Sequence, residues 1–131
     1  MTAPRASETA FDDQDIVRQV ERLSSAELDA LPFGVVRLNA DGEVSFFSRT
    51  EAEQSGYGSR PALGRRFFSE LAPCMGSPEF RNRVEQAHAD RTLDILFEHV
   101  GDFGNATRVL RIRLKAASDG GTWLLLQRRA A

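Results

Sequence analysis

The chain has 131 residues, of which 41% are apolar and 27% charged, the ordinary composition of one globular domain with enough chain for a single core. Acids number 19 and bases 17, a net charge of −2 that leaves no basic footprint for nucleic acid. The one cysteine, Cys74, excludes an internal disulfide and a cysteine-based zinc site, and no apolar run approaches the roughly 18 residues of a membrane span. The N-terminus lacks the apolar stretch of a secretory signal, so a cytoplasmic location is expected.

Residues 1–10 are small and polar and read as a flexible arm. From Phe11 to Leu31 the apolar positions Ile16, Val20, Leu23, Leu28 and Leu31 suit short amphipathic helices, and Ser24-Ser25-Ala26-Glu27 is a capping box that starts a second helix near Ser25. Beyond Pro32 the pattern changes to two short strands, Phe33–Leu38 and Val44–Phe47, separated by Asn39-Ala40-Asp41-Gly42, a hairpin signal. Short helices follow at Thr50–Ser55 and around Phe67–Leu71. Ser77-Pro78-Glu79 then opens a longer helix reaching about Asp90. The last third holds three strands, Leu93–Val100, Thr107–Ala117 and Thr122–Arg129, with turns at Gly101–Ala106 and Ser118–Gly121. In the middle strand Val109, Arg111 and Arg113 alternate with Leu110, Ile112 and Leu114, the periodicity of a half-buried strand.

The order predicts an α+β domain: a five-stranded antiparallel sheet, helices on one face, a helical N-terminal cap on the other. Residues 1–32 are the expected cap and 33–131 the core. This order resembles that of a PAS domain. A more specific resemblance lies in Phe67-Phe68-x-x-Leu71-Ala72-Pro73-Cys74 followed by Ser77-Pro78-Glu79-Phe80, which is similar to the chromophore-attachment segment of the photoactive yellow protein family. Leu31-Pro32-Phe33-Gly34, Asp41-Gly42, Glu51, Gly56, Gly64, Phe97-Glu98 and Trp123 fall where that family has matching residues, in a register that runs without a gap from Phe11 to about Leu114.

The resemblance implies a blue-light photoreceptor, not an enzyme. Its cofactor would be 4-hydroxycinnamic acid (p-coumaric acid), bound as a thioester to Cys74 and held in the core as a phenolate. Light isomerises its double bond from trans to cis, a buried glutamic acid gives up a proton, and the fold partly loosens into a signalling state. The implied chromophore-binding residues are Cys74, Glu51 (proton donor), Phe47, Ser55, Tyr57, Phe67, Pro73 and Phe97. Two departures stand out. Phe47 occupies the place of a family tyrosine whose hydroxyl shares the phenolate, which implies a higher dye pKa and red-shifted or mixed absorption. Asn105 replaces a methionine found in many members, which implies slow dark recovery. With no output domain evident, the signal is expected to pass to a partner protein in trans, from a monomer or weak dimer, with no nucleic acid or membrane involved.

The chemistry suits these residue types. A thiolate is the form of cysteine that can be acylated. A buried anionic ring is costly unless hydrogen-bonded, and a carboxyl in an apolar site tends to keep its proton. Simpler roles compete. Ser48-Arg49-Thr50-Glu51 is itself a capping box, and it claims the same Glu51 carboxyl. Ser55 would end a helix, and Tyr57 would sit in a turn between glycines. Arg65-Arg66, Arg111/Arg113 and Arg128-Arg129 read as solvated charges. His88 reads as a residue of an exposed face and not a haem ligand, and a Cys74–His99 hydrolytic dyad has no identifiable orienting acid or oxyanion motif. The alternative function is a chromophore-free PAS module for dimerisation or small-ligand binding.

Overall fold

The N-terminal third shows how local chemistry sets the first elements. The computed structural model describes residues 11, 14–55, 58, 62–67, 82, 86–87, 94–102, 105–118 and 120–130. Helix α1 spans Ile16–Val20 and α2 spans Ser25–Asp29. At the start of α2 the capping box forms in full: the Glu27 amide donates to the Ser24 hydroxyl at 3.2 Å, and the Ser24 amide donates to the Glu27 carboxylate at 3.0 Å.

Strands β1 (Gly34–Leu38) and β2 (Val44–Phe47) make the predicted hairpin. Its turn is held by Asn39, whose side-chain oxygen accepts from the amides of Asp41 and Glu43 at 2.9 and 3.0 Å. Gly42 takes φ +82°, the left-handed conformation such a turn demands. Helix α3 (Arg49–Gln54) follows directly, and strands β3 (Asp94–Asp102), β4 (Asn105–Ala116) and β5 (Thr122–Ala130) complete the sheet. All pairings are antiparallel, in the order β2-β1-β5-β4-β3. The expected turn over Gly101–Ala106 is shorter than the sequence suggested. A register shift between Val100 and Asp102 absorbs the irregularity, and the ladder continues to the pair Asp102–Asn105.

Alternation along the strands divides the core in two. One face presents Val36, Leu38, Leu110, Ile112, Leu114, Leu124 and Leu126, packed with Phe67 and Ile95. The other presents Val35, Trp123 and Leu125, covered by Phe11, Ile16, Val20, Leu23, Leu28 and Leu31 from the N-terminal segment. The sheet is thus sandwiched, with α3 on the first face and α1 and α2 on the second.

The arginines of β4 and β5 correct the sequence reading. Arg113 is buried (7% exposed) and donates to the Phe11 carbonyl. Arg111 lies over the Phe11 ring at 5.2 Å. Lys115 reaches the Gln14 carbonyl at 3.0 Å. The polar side of this strand faces the backbone and ring of the N-terminal segment, whose carbonyls offer acceptors to those cations. Among the described residues no helix is long and apolar enough to cross a membrane.

Candidate functional site

On the first face of the sheet, β2 turns into α3 through Ser48, whose fully buried hydroxyl does two jobs. It accepts from the Glu51 amide at 3.1 Å, capping α3, and from the Val35 amide at 3.0 Å, fastening the helix start to β1. The predicted capping box forms only by half. The Ser48 amide bonds the Val35 carbonyl at 2.9 Å, and the Glu51 carboxylate is directed into the protein.

There it meets Arg128. The two guanidinium nitrogens donate to the two carboxylate oxygens at 2.6 and 2.8 Å, a fork between groups 77 residues apart. Both side chains are sealed from solvent, 0% exposed for Arg128 and 1% for Glu51. Strand geometry explains how the arginine arrives. Leu124, Leu126 and Arg128 occupy alternate positions of β5, and Arg128 pairs across the ladder with Leu110 of the same core face. The solvated role read for Arg128 is therefore overturned: two-residue alternation carries it inward beside the core leucines. Gly34 makes room for its partner. A Cβ built on Gly34 would fall 2.0 Å from Glu51 Oε1, an impossible contact, so the close approach of carboxylate to strand β1 requires glycine.

The other sequence-derived site residues fall into two groups. Phe47 and Phe67 pack on the same core as the leucines, Phe67 at 1% exposure, and Ser55 is buried at the end of α3, its amide donating to the Glu51 carbonyl at 2.9 Å. Phe67 is positioned by backbone bonds to the hairpin: Val44 to Arg65 at 2.8 Å, Gly64 to Val44 at 2.8 Å and Phe67 to Gly42 at 3.2 Å. The segment leading toward Cys74 therefore departs from a fixed point. Phe97 is described through its backbone, which pairs with Ile112. Cys74, Tyr57 and Pro73 lie outside the described residues, as do residues 1–10, the Ser77–Asp90 helix start and His88. Arg128 and Gly34 are the site residues that sequence reasoning missed. The signal for Arg128 was its place two residues after Leu126.

A second polar cluster sits on the opposite face. Glu21, just past α1, accepts on one oxygen from the Ser118 amide, the Ser118 hydroxyl and the Trp123 indole, each at 3.0 Å, with Arg37 at 3.8 Å. Burial pushes this carboxyl up, but the bonds from Ser118 and Trp123 and the Arg37 charge outweigh it and hold the group below the usual carboxylate value. Arg37 also lies 4.8 Å from the centre of the Trp123 ring. Beside this cluster is an open cleft of about 410 Å³, lined by Val20, Leu23, Leu28, Ser45 and Phe46 among others.

Comparison with known proteins agrees with the fold. Residues 28–127 match the family model described as "PAS fold". The photoactive yellow protein of Halochromatium salexigens is 29% identical over 119 residues, covering 90% of this chain and 95% of that protein. That of Rhodobacter capsulatus is 27% identical, covering 79% and 84%. Among solved structures, the photoactive yellow protein domain of the sensor histidine kinase Ppr from Rhodospirillum centenum superposes with TM-score 0.70 at 30% identity, over 82% of this chain and 95% of that one. A PAS domain of an HTR-like protein from Haloarcula marismortui shares the fold at TM-score 0.57 and 20% identity, over 87% and 93%.

Proposed function

The chain belongs to the PAS fold family, in its photoactive yellow protein branch, and on that premise we propose that it is a blue-light photoreceptor whose 4-hydroxycinnamoyl dye is attached through a thioester to Cys74. The observation that supports the reading is the buried Glu51, held on the apolar core face that also carries Phe47 and Phe67. The described residues fit a dye of this kind. They supply aromatic and aliphatic surface for a ring, one buried acid and one buried cation, and the glycine that lets the acid approach the sheet.

When bound, the dye would supply a double bond that light isomerises and a phenolate that takes up a proton. The protein's part falls to its own side chains. Cys74 would hold the dye, and Phe47 and Phe67 would exclude water from the ring. The Glu51 carboxyl would hold a proton at one of its oxygens and release it after illumination. Ser48 and Ser55 fix the two ends of the helix that carries it. A change of charge at Glu51 acts on a helix tied to the cap's exit. The Thr50 hydroxyl donates to the Leu31 carbonyl at 2.7 Å, and the Arg49 amide donates to Asp29 at 2.7 Å. Loosening of that region, read by a partner protein, would be the output; no turnover of substrate is involved.

Denaturing mass spectrometry of the chain after incubation with activated 4-hydroxycinnamate tests this. One hydroxycinnamoyl increment and a yellow colour are expected, both lost in Cys74→Ala. An intact chain that neither gains mass nor colours ends the proposal. The Glu51–Arg128 fork favours one second reading, a PAS module that carries no dye, because it satisfies the buried acid from within the chain. Absence of an adduct together with a stable fold would select it.

A further inference from the structure

We propose that Arg128 is the fixed countercation of the dye site. This rests on the photoreceptor reading above. The geometry is that of the fork: a guanidinium with no exposed surface, 2.6 and 2.8 Å from the oxygens of a carboxylate that is itself buried. Guanidinium stays charged under all ordinary conditions, so Arg128 always brings a positive charge to this pocket. A buried positive charge demands one negative partner, and a second would be unpaired.

Two acids would then share one proton. Either the Glu51 carboxyl keeps it and a phenolate faces the cation, or the phenol keeps it and Glu51 is the anion. In both cases the charges of Glu51, Arg128 and the dye sum to zero. Transfer breaks one O–H bond and makes the other, and Arg128 neutralises whichever oxygen is left bare. Around the pair, Leu110 of β4, Leu126 of β5 and Gly34 of β1 bring no charge. On α3, Arg49 and Glu53 are exposed, as are Arg65 and Arg66 near the start of β2. Arg37, Arg111, Arg113 and Lys115 belong to the opposite face of the sheet. Among the residues whose side chains the structure describes, Arg128 is thus the cation placed to act.

Two readouts test the role, one of them independent of the dye. Infrared spectra of the dye-free chain at neutral pH, assigned by subtracting Glu51→Gln, are expected to show Glu51 as a carboxylate. In Arg128→Gln the neutral carboxylic acid band should appear. In the reconstituted protein, colour titration of Arg128→Gln should show the dye's acid constant reduced about ten- to hundred-fold, the scale of a lost charge-assisted hydrogen bond. Arg128→Lys, which keeps the charge and loses the fork, should show a smaller change in the same direction and serves both readouts if Arg128→Gln does not fold. A neutral Glu51 in the dye-free wild type overturns the proposal, as does a titration that neither variant moves. If no dye attaches at all, the photoreceptor reading fails, and the infrared result still decides whether Arg128 governs the charge on Glu51.

Discussion

The two faces of the sheet each hold a carboxylate bound to residues distant in sequence, and they hold it in opposite ways. Glu51 is sealed in and matched by a full opposite charge in two-point contact. Glu21 stands at the margin, its side chain 20% exposed, and collects neutral donors on one oxygen while Arg37 stays 3.8 Å away. A sealed pair is worth little against an apolar replacement yet is severe to break, because the survivor keeps its charge without water. A marginal acid can always turn to solvent. The first arrangement commits the core face to one charge state; the second fastens the N-terminal segment with bonds that acid can undo.

The sharpest way to break this contrast is to remove one partner of the sealed pair. Glu51→Ala in the dye-free chain is expected to lose roughly 3–5 kcal/mol in urea unfolding, while a double change of Glu51 and Arg128 to leucine should recover most of it. If the single variant unfolds at the wild-type midpoint, the pair is not sealed in solution. A smaller loss, roughly 1–3 kcal/mol, is expected for Ser48→Ala, which strips the buried amides of Val35 and Glu51 of their common acceptor. The smallest effect belongs to the other face. Because the folded Glu21 carboxyl lies below its ordinary value of 4.5, its contribution is complete above that pH and fades as acid protonates the folded form. Glu21→Gln should cost about 1 kcal/mol or less at neutral pH and flatten the acid limb of the stability profile. An unchanged acid limb would assign that limb to other groups.

Much of this architecture can be read from the chain, and the limits have a physical cause. Local rules succeeded where the partners are neighbours: the Ser24–Glu27 box, the Asn39–Gly42 turn, and the alternation through β4 that separates Leu110, Ile112 and Leu114 from Arg111 and Arg113. They failed where a residue's fate depends on a segment far along the chain. Arg113 alternates outward, but the Phe11 segment folds over that side and buries it. The tandem Arg128-Arg129 reads as a solvated pair, and only the depth of the sheet beside Gly34 and Glu51 turns the first of them inward. The Ser48–Glu51 capping box was half right for the same reason. Its helix-capping bond is local, and the carboxylate was drawn away by a cation on the last strand.

The vacancy above Gly34 carries this logic into heredity. Because a methyl there would overlap the acid's oxygen, positions 34 and 51 behave as one letter of the sequence written in two places. A mutation that gives residue 34 a side chain cannot be neutral while residue 51 remains glutamate, and shortening residue 51 abandons the arginine at 128. Change at this spot has to arrive as a coordinated set, and a lineage that keeps one of the three has a physical motive for keeping all of them.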